Sequence, residues 1–557
     1  MKPKKLCTAL ALTMLAATAS LAADSTPASG ATPAGTPGSS TGAAPLVSSA
    51  PASPESAVPR FTINRFFVRN NTILSGSELA ALFAPHEGPD KDFGDVQRAL
   101  DVLENAYRQK GYNSVSVYLP EQELKDGAVV FTAVEAKIAR IDIEGNRFFT
   151  RENIEDSFPS LKKGEFPLIH EISKNLRAVN ENPAKKVNLQ LQGGEQDDEL
   201  IVKLKVTDEK YWKAGLTVDN TGTSQTGEYR VGILLQHFNL HNKDHVASFQ
   251  YATSPDHADS VKSISASYRL PLYSLGDTLD VFAGYSDVNS PLAVSGYDLK
   301  TNGKGILSGL RYNYTLKRIA EYSQKLVLGF DYRLYDNSLS TQDSSENLLK
   351  NGRQALHPLS LTYNGSYTLE QGEASFNVGG AYNIPWGPHG EKSDFPEGTA
   401  ADYFVLRYGA NLAYALPADL QLRLSFNAQY SPRSLVSYEQ FGLGGATTGR
   451  GYTERAAAGD IGYSGSAEIY SPDIARLLSL GDTQLRLLAF YDDGYARKAD
   501  AIDGDDGGIR LASIGGGVRL SISKFFTAST DWGVTLNSVG TTPAGDNRIH
   551  FKAAIIY

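Results

Sequence analysis

At 557 residues the chain is too long for one ordinary domain, and 53 Lys and Arg against 62 Asp and Glu leave a formal net charge of −9. That acidic balance argues against a general nucleic-acid binder, which needs clustered cations against phosphate. Beyond residue 22 nothing resembles a continuous apolar run of about 18 residues; this excludes a helical membrane protein but not a membrane barrel, whose alternating strands keep mean hydropathy low.

The first element, 1–22, reads as a secretory signal peptide: Met1-Lys2-Pro3-Lys4-Lys5, an apolar run from Leu6 to Ala19, then Ser20-Leu21-Ala22. Its removal takes away three lysines and moves the net charge from −9 to about −12. Cys7 and both methionines, Met1 and Met14, go with it, so no disulfide or thiolate metal site is expected in the mature chain. Residues 23–58 are almost wholly Ala, Ser, Thr, Pro and Gly and read as a flexible linker, with an O-glycosylated stalk as the alternative.

Residues 59–208 have the composition of a soluble α/β region. The pattern predicts a strand over 61–68, helices over 75–84 and 93–110, and strands over 114–119 and 128–134. In the longer helix Val96, Leu100, Leu103 and Ala106 recur at helical spacing, and Gly111 stops it. A second unit repeats the order: a strand over 138–143, helices over 150–158 and 168–180, and strands over 187–191 and 199–206. Two βααββ units in series fit this text, at 59–137 and 138–208; a generic two-domain binding module fits the order and spacing equally.

From about 209 to 557 helical periodicity disappears. Sixteen runs of roughly ten residues alternate apolar with polar or small, as in transmembrane strands. They begin near Tyr211, Glu228, His245, Ser260, Thr278, Lys304, Tyr322, His357, Ala374, Asp402, Leu420, Tyr463, Thr483, Gly508, Lys524 and Asn547. Connections after even-numbered runs are mostly brief, as at 241–244, 371–373, 417–418 and 523; those after odd-numbered runs are often long, as at 288–303, 336–356, 385–401 and 432–462. Short turns on one side and long loops on the other are the asymmetry of a 16-stranded antiparallel outer-membrane barrel. An even count also puts the soluble region and the C-terminus on one side. In the last run Ile549, Phe551, Ala553, Ile555 and Tyr557 share an apolar face, and Arg548, His550 and Lys552 share the other.

The same parity applies to the thirteenth run. Leu485, Leu487, Ala489 and Tyr491 form an uncharged, lipid-side set, so Gln484, Arg486, Leu488, Phe490 and Asp492 point into the lumen. A solvated pore wall explains a lumenal carboxylate without any partner. The Gly-rich connection 432–462 offers one, because Arg450 lies between Gly449 and Gly451 and arginine binds a carboxylate bidentately. Composition alone favours a disordered outer excursion for this loop.

Other chemistry is weak. His237, His241 and His245 span a strand, a turn and a strand, not one helix face. Gly462-Tyr463-Ser464-Gly465-Ser466 lacks the last glycine of a nucleophile elbow, and Gly442-Leu443-Gly444 has Thr447 where a dinucleotide fingerprint needs glycine. Asp492 and Asp493 face opposite sides of a strand and suit no shared acid/base role. Trp212, Trp386 and Trp532 fit an interface belt. No cofactor, metal site or catalytic residue is expected.

Arg450-Gly451-Tyr452, Phe490-x-Asp492-x-Gly494, Tyr268-Arg269-Leu270-Pro271-Leu272, Asn182-Pro183 with Gly193-Gly194, and Tyr118-Leu119-Pro120 with Asp126-Gly127 stand in a telling order. By these, residues 59–557 resemble the two-partner secretion (type Vb) outer-membrane transporters, the haemolysin-activator and filamentous-haemagglutinin-transporter family, in the superfamily of the barrel-assembly protein BamA. The resemblance implies that 59–137 and 138–208 are POTRA domains in the periplasm and that 209–557 is the barrel, with 432–462 folded inward. It implies that Arg450, Gly451, Tyr452, Phe490, Asp492 and Gly494 form a structural latch without a catalytic role. It implies an unfolded exoprotein as cargo (an adhesin, haemolysin, toxin or haem-scavenging protein), possible activation of that cargo, outer-membrane lipid around the barrel, and the barrel-assembly machinery as a partner in biogenesis. A BamA-like assembly factor and a porin or nutrient receptor are the alternatives. The family often has valine where this chain has Gly449, which suggests a looser loop tip. Residues 23–58 show no helical period, which argues against the plug helix of some relatives.

Overall fold

The computed structural model describes residues 59–222, 226–259, 261–287, 290–294, 297–301, 304–336, 353–500 and 508–557; the leader and linker expected over 1–58 lie outside the described residues. In the first unit the long helix spans Phe93–Gln109. It begins at Asp92, whose carboxylate accepts from the Asp95 amide while Asp95 returns the bond, a capping box. Its buried face carries Val96, Ala99, Leu103 and Tyr107. With the helix Gly76–Phe83 it shares an apolar core with a sheet in which Arg65–Arg69 runs parallel to Ala128–Val134, and Ser116–Tyr118 completes it antiparallel. The intervening helices supply the crossover that a parallel pair needs.

The strand expected over 61–68 is broken at Asn64. The Asn64 amide donates to the Gly127 carbonyl at 2.7 Å and its side chain donates to that of Asp126 at 2.9 Å. The preceding piece, Phe61–Ile63, leaves the sheet and pairs with Gly88–Lys91 instead. The second unit repeats the topology with Lys137–Glu144 parallel to Glu199–Asp208, Lys185–Gly193 antiparallel to it, and helices Arg151–Asp156 and Ile169–Asn180. Its core of Ile138, Phe149, Phe158, Ile172 and Val202 includes Phe238 from the barrel, so the two pack as one body.

Sixteen antiparallel strands close the barrel. Strand 1 is Trp212–Asp219, and strand 16, Asn547–Ile556, closes on it from Lys552 opposite Asp219 to Ile556 opposite Gly215. Strand 8 is interrupted at His357, between Arg353–Leu356 and Pro358–Leu369. The other strands that build the site are strand 7 (Tyr322–Asp336), strand 10 (Phe404–Ala415), strand 11 (Gln421–Tyr430), strand 12 (Ile461–Tyr470), strand 13 (Thr483–Arg497), strand 14 (Gly508–Ile522) and strand 15 (Phe526–Thr535). Parity falls as expected: Leu487, Tyr491, Ile549 and Ile555 are exposed on the outside, whereas Leu488, Phe490, Asp492 and His550 are buried within.

One connection departs from the sorting of short turns. Residues 471–482, on the short-turn side, are long enough to hold a one-turn helix, Ile474–Leu477. Asp473 caps it and also accepts from the Leu485 amide at 3.0 Å. The neighbouring turn adds Asp419, paired with Arg486 at 2.9 Å.

Candidate functional site

The connection between strands 11 and 12 does not extend away from the barrel. Phe441–Leu443 and Ala457–Gly459 pair as a small ribbon, and the tip beyond it enters the lumen. There Arg450 meets Asp492 of strand 13 in a fork: Nε to Oδ2 at 2.9 Å and Nη2 to Oδ1 at 2.7 Å, with the Arg450 amide also donating to Oδ2 at 3.1 Å. Both residues are under 5 % exposed. Strand 12 contributes Glu468, whose carboxylate accepts from Nη1 at 2.6 Å, and Ser466, which accepts from Nη2 at 2.9 Å and donates to Asp492 at 2.7 Å. Asp531 of strand 15 stands 3.8 Å from Nη1 and is itself held by Arg519 at 2.8 Å. The guanidinium carbon lies 3.4 Å over the Phe490 ring centroid, so the ring face supports the cation from the fourth side. Each nitrogen of this buried guanidinium donates to at least one side-chain oxygen, the condition under which a charge persists out of water.

The backbone around Arg450 is fitted as closely as its side chain. Gly451 sits at φ 103°, a conformation a side chain resists. Gly533 of strand 15 is the surface on which the tip rests: a Cβ there would lie 2.6 Å from the Arg450 carbonyl carbon. Gly494 clears space for Leu443, whose Cδ2 a Cβ would approach to 2.9 Å. The looseness expected at Gly449 is absent, because Leu511 of strand 14 fills the place: a Cβ at 449 would meet its Cδ1 at 2.6 Å.

Tyr452 is fully buried in an apolar cluster with Leu443, Ala457, Leu511 and Val539. Its hydroxyl lies 3.0 Å from the Ala512 carbonyl and 2.7 Å from that of Asn537, and it accepts from the Asn537 amide at 3.2 Å. Tyr452→Phe keeps the ring and loses these bonds, so it is expected to cost about 1–2 kcal/mol. The check is a modest drop in the temperature at which the barrel loses its heat-modifiable gel mobility.

Arg450, Gly451, Tyr452, Phe490, Asp492 and Gly494 are thus all brought together. Glu468, Ser466, Asp531 and Gly533 were missed from the sequence. Their strand parity carried the signal: Glu468 shares a face with the buried Tyr470, and Asp531 alternates with the outward Trp532. The histidines at 237, 241 and 245 form no ligand set; His245 Nδ1 lies 2.7 Å from the Tyr268 hydroxyl, and no metal-holding cluster occurs among the described residues.

A family model described as haemolysin secretion/activation protein ShlB/FhaC/HecB matches residues 198–520, more than half of the chain, and an ShlB-type POTRA domain model matches residues 61–136. The heme/hemopexin transporter protein HuxB of Haemophilus influenzae is 22% identical over 468 residues, covering 81% of this chain and 79% of the relative. The outer membrane transporter CdiB of Dickeya dadantii is 24% identical over 429 residues, covering 75% and 74%. Among solved structures, CdiB from Escherichia coli superposes with a TM-score of 0.70 at 21% identity, over 91% of this chain and 93% of that one. CdiB from Acinetobacter baumannii gives 0.64 at 15% identity over 90% of each.

Proposed function

The chain belongs to the haemolysin secretion/activation family ShlB/FhaC/HecB and is an outer-membrane two-partner secretion transporter with its POTRA region in the periplasm, and from that premise we propose how it works. The domain limits in this reading are 59–137 and 138–208 for two POTRA domains and 209–557 for the barrel. The POTRA domains take up an unfolded exoprotein, lending sheet edges to its extended segments. The barrel passes the chain outward, and folding outside draws it on, since no nucleotide is available in the periplasm. No step in this cycle makes or breaks a covalent bond, so the chain acts as a conduit and not as an enzyme.

The observation that carries the reading is the loop tip held inside the barrel by a buried ion pair, an arrangement suited to a conduit whose lumen is occupied at rest. The cargo is a secreted exoprotein of the kinds the family resemblance implies, an adhesin, haemolysin, toxin or haem-scavenging protein, the last in keeping with the heme/hemopexin transport in the name of HuxB. The barrel-assembly machinery is the expected route of insertion, with Tyr557 closing an apolar face at the C-terminus.

Co-expressing a candidate exoprotein with and without this chain, and assaying its appearance at the cell surface, tests the proposal. Surface appearance that does not depend on the chain would overturn it. A variant lacking residues 60–137 is expected to lose cargo capture; normal binding of the exoprotein by its remaining periplasmic region would refute the role given to the first POTRA domain.

A further inference from the structure

The loop between strands 11 and 12 is held at a second place, away from Arg450. Glu439, in its descending limb, is 3% exposed, yet it carries a carboxylate. A charge so buried must be paired. Arg333 of strand 7 pairs with one oxygen, and Arg407 of strand 10 donates to the other at 3.1 Å. Gln429 of strand 11 donates to the Glu439 carbonyl at 2.9 Å and accepts from Arg407 at 2.9 Å. Arg333 is braced in turn by Asp331 at 2.7 Å. Next to Glu439, the ring of Tyr438 stacks on that of Tyr335 of strand 7 with centroids 3.8 Å apart.

Position gives this cluster its meaning. The Glu439 cluster is built on strands 7, 10 and 11 and the Arg450 cluster on strands 12, 13 and 15, so the two take different arcs of the barrel wall. They also differ in depth. Arg333 and Arg407 stand near the long-loop ends of their strands, under an apolar cap of Tyr335, Phe395, Tyr403 and Leu435, whereas Asp492 and Asp531 stand midway along theirs. A loop fastened only at its tip could swing out through the outer mouth as a flap. This loop is tied to one arc of the wall before it descends and to another at its tip.

We propose that Glu439 is a positioning residue that fastens the loop at the outer mouth, making it a strap held at two points of the wall, so that release of Arg450 alone leaves the mouth obstructed. The inference rests on the reading of the barrel as an export conduit. Its test reads the position of the loop and not secretion, so the two can fail separately.

Tyr335→Cys and Tyr438→Cys provide a thiol pair across the proposed fastening in the mature chain, bridged in outer membranes by a short bifunctional thiol reagent. The parent pair is expected to cross-link. Adding Arg450→Ala should leave the yield within about twofold, and adding Glu439→Gln should lower it about tenfold, because the buried Arg333 then keeps only Asp331 of its two carboxylates and the charged tie from Arg407 to the loop is lost. Heat-modifiable gel mobility confirms that each barrel is folded; should Glu439→Gln fail that check, Arg407→Gln removes the more exposed partner and is expected to lower the yield in the same way. No cross-link in the parent overturns the proposal, since the limb is then not on strand 7. Loss of the cross-link with Arg450→Ala overturns it as well, because the loop then leaves as one piece. So does an unchanged yield with Glu439→Gln or its substitute. If the cross-links behave as expected while the exoprotein reaches the surface without this chain, the strap stands and the export reading falls.

Discussion

Secretion through an Arg450→Ala barrel is expected to fall about a hundredfold or more while the barrel still assembles. The substitution leaves Asp492, 2% exposed, with only Ser466 of its former side-chain partners, and it leaves Glu468 without the cation 2.6 Å away. Removing one partner of a buried pair costs about 3–5 kcal/mol, and each 1.4 kcal/mol is about a factor of ten in an equilibrium. The loss falls on the placement of the loop, because no backbone ladder of the barrel runs through Arg450. Asp492→Ala removes the other half of the fork and should act in the same direction. Arg450→Lys separates charge from shape: it keeps the cation but cannot bind Asp492 in a fork while also reaching Glu468 and Ser466, so it should restore only part of the export. Surface exoprotein measured alongside heat-modifiable mobility makes the check. Wild-type export from either alanine variant would show that the pair is not needed.

Much of this was legible because a strand has a period of two. Alternation placed the starts of most barrel strands within a few residues, and parity alone turned Asp492 inward and Leu487 outward. The loop had no such period. Its glycines and threonines are compatible with an outer excursion, and the contact of Arg450 with Asp492 came from the resemblance. Glu439 was illegible for the same reason: it lies in an irregular limb, and its partners are more than a hundred residues back, at Arg333, and about thirty back, at Arg407. Glu468 and Asp531 were recoverable, since each alternates with an apolar residue that faces outward, Ile469 and Trp532. The break at Asn64 was not, because its cause is a turn at Asp126–Gly127, more than sixty residues away.

The junction between the second POTRA domain and the barrel was missed in a more instructive way, and it yields the other large expected effect. Lys185 opens a strand as Ala184-Lys185-Lys186, which reads as a solvated edge, yet it shares a face with the buried Val187 and its side chain is fully buried. Its ammonium meets Asp244, in the turn between barrel strand 2 (Arg230–Leu240) and strand 3 (His245–Thr253), at 2.5 Å, and donates to Asn153 at 2.8 Å and Ser157 at 3.2 Å. Asp244 also accepts from Asn153 at 3.0 Å and from Ser157 at 2.9 Å, and the Tyr273 hydroxyl of the next short turn completes its shell. Burial pulls the Lys185 ammonium below its ordinary value and Asp244 opposes this, which marks a charge kept in place by its partner. Lys185→Met is expected to strand Asp244 and cost the docked state about 3–5 kcal/mol, raising the undocked fraction a hundredfold or more. Lys185→Met with Asp244→Leu should cost less, because no buried charge is left unpaired. Spin labels at single introduced cysteines in the helix Ile169–Asn180 and in a barrel turn measure the outcome. A broadened distance distribution in the single variant, narrowed again in the double, is the expected result. An unchanged distribution in Lys185→Met would mean that the apolar contact through Phe238 holds the junction without the ion pair, and that movement during export must be sought between the two POTRA domains or elsewhere.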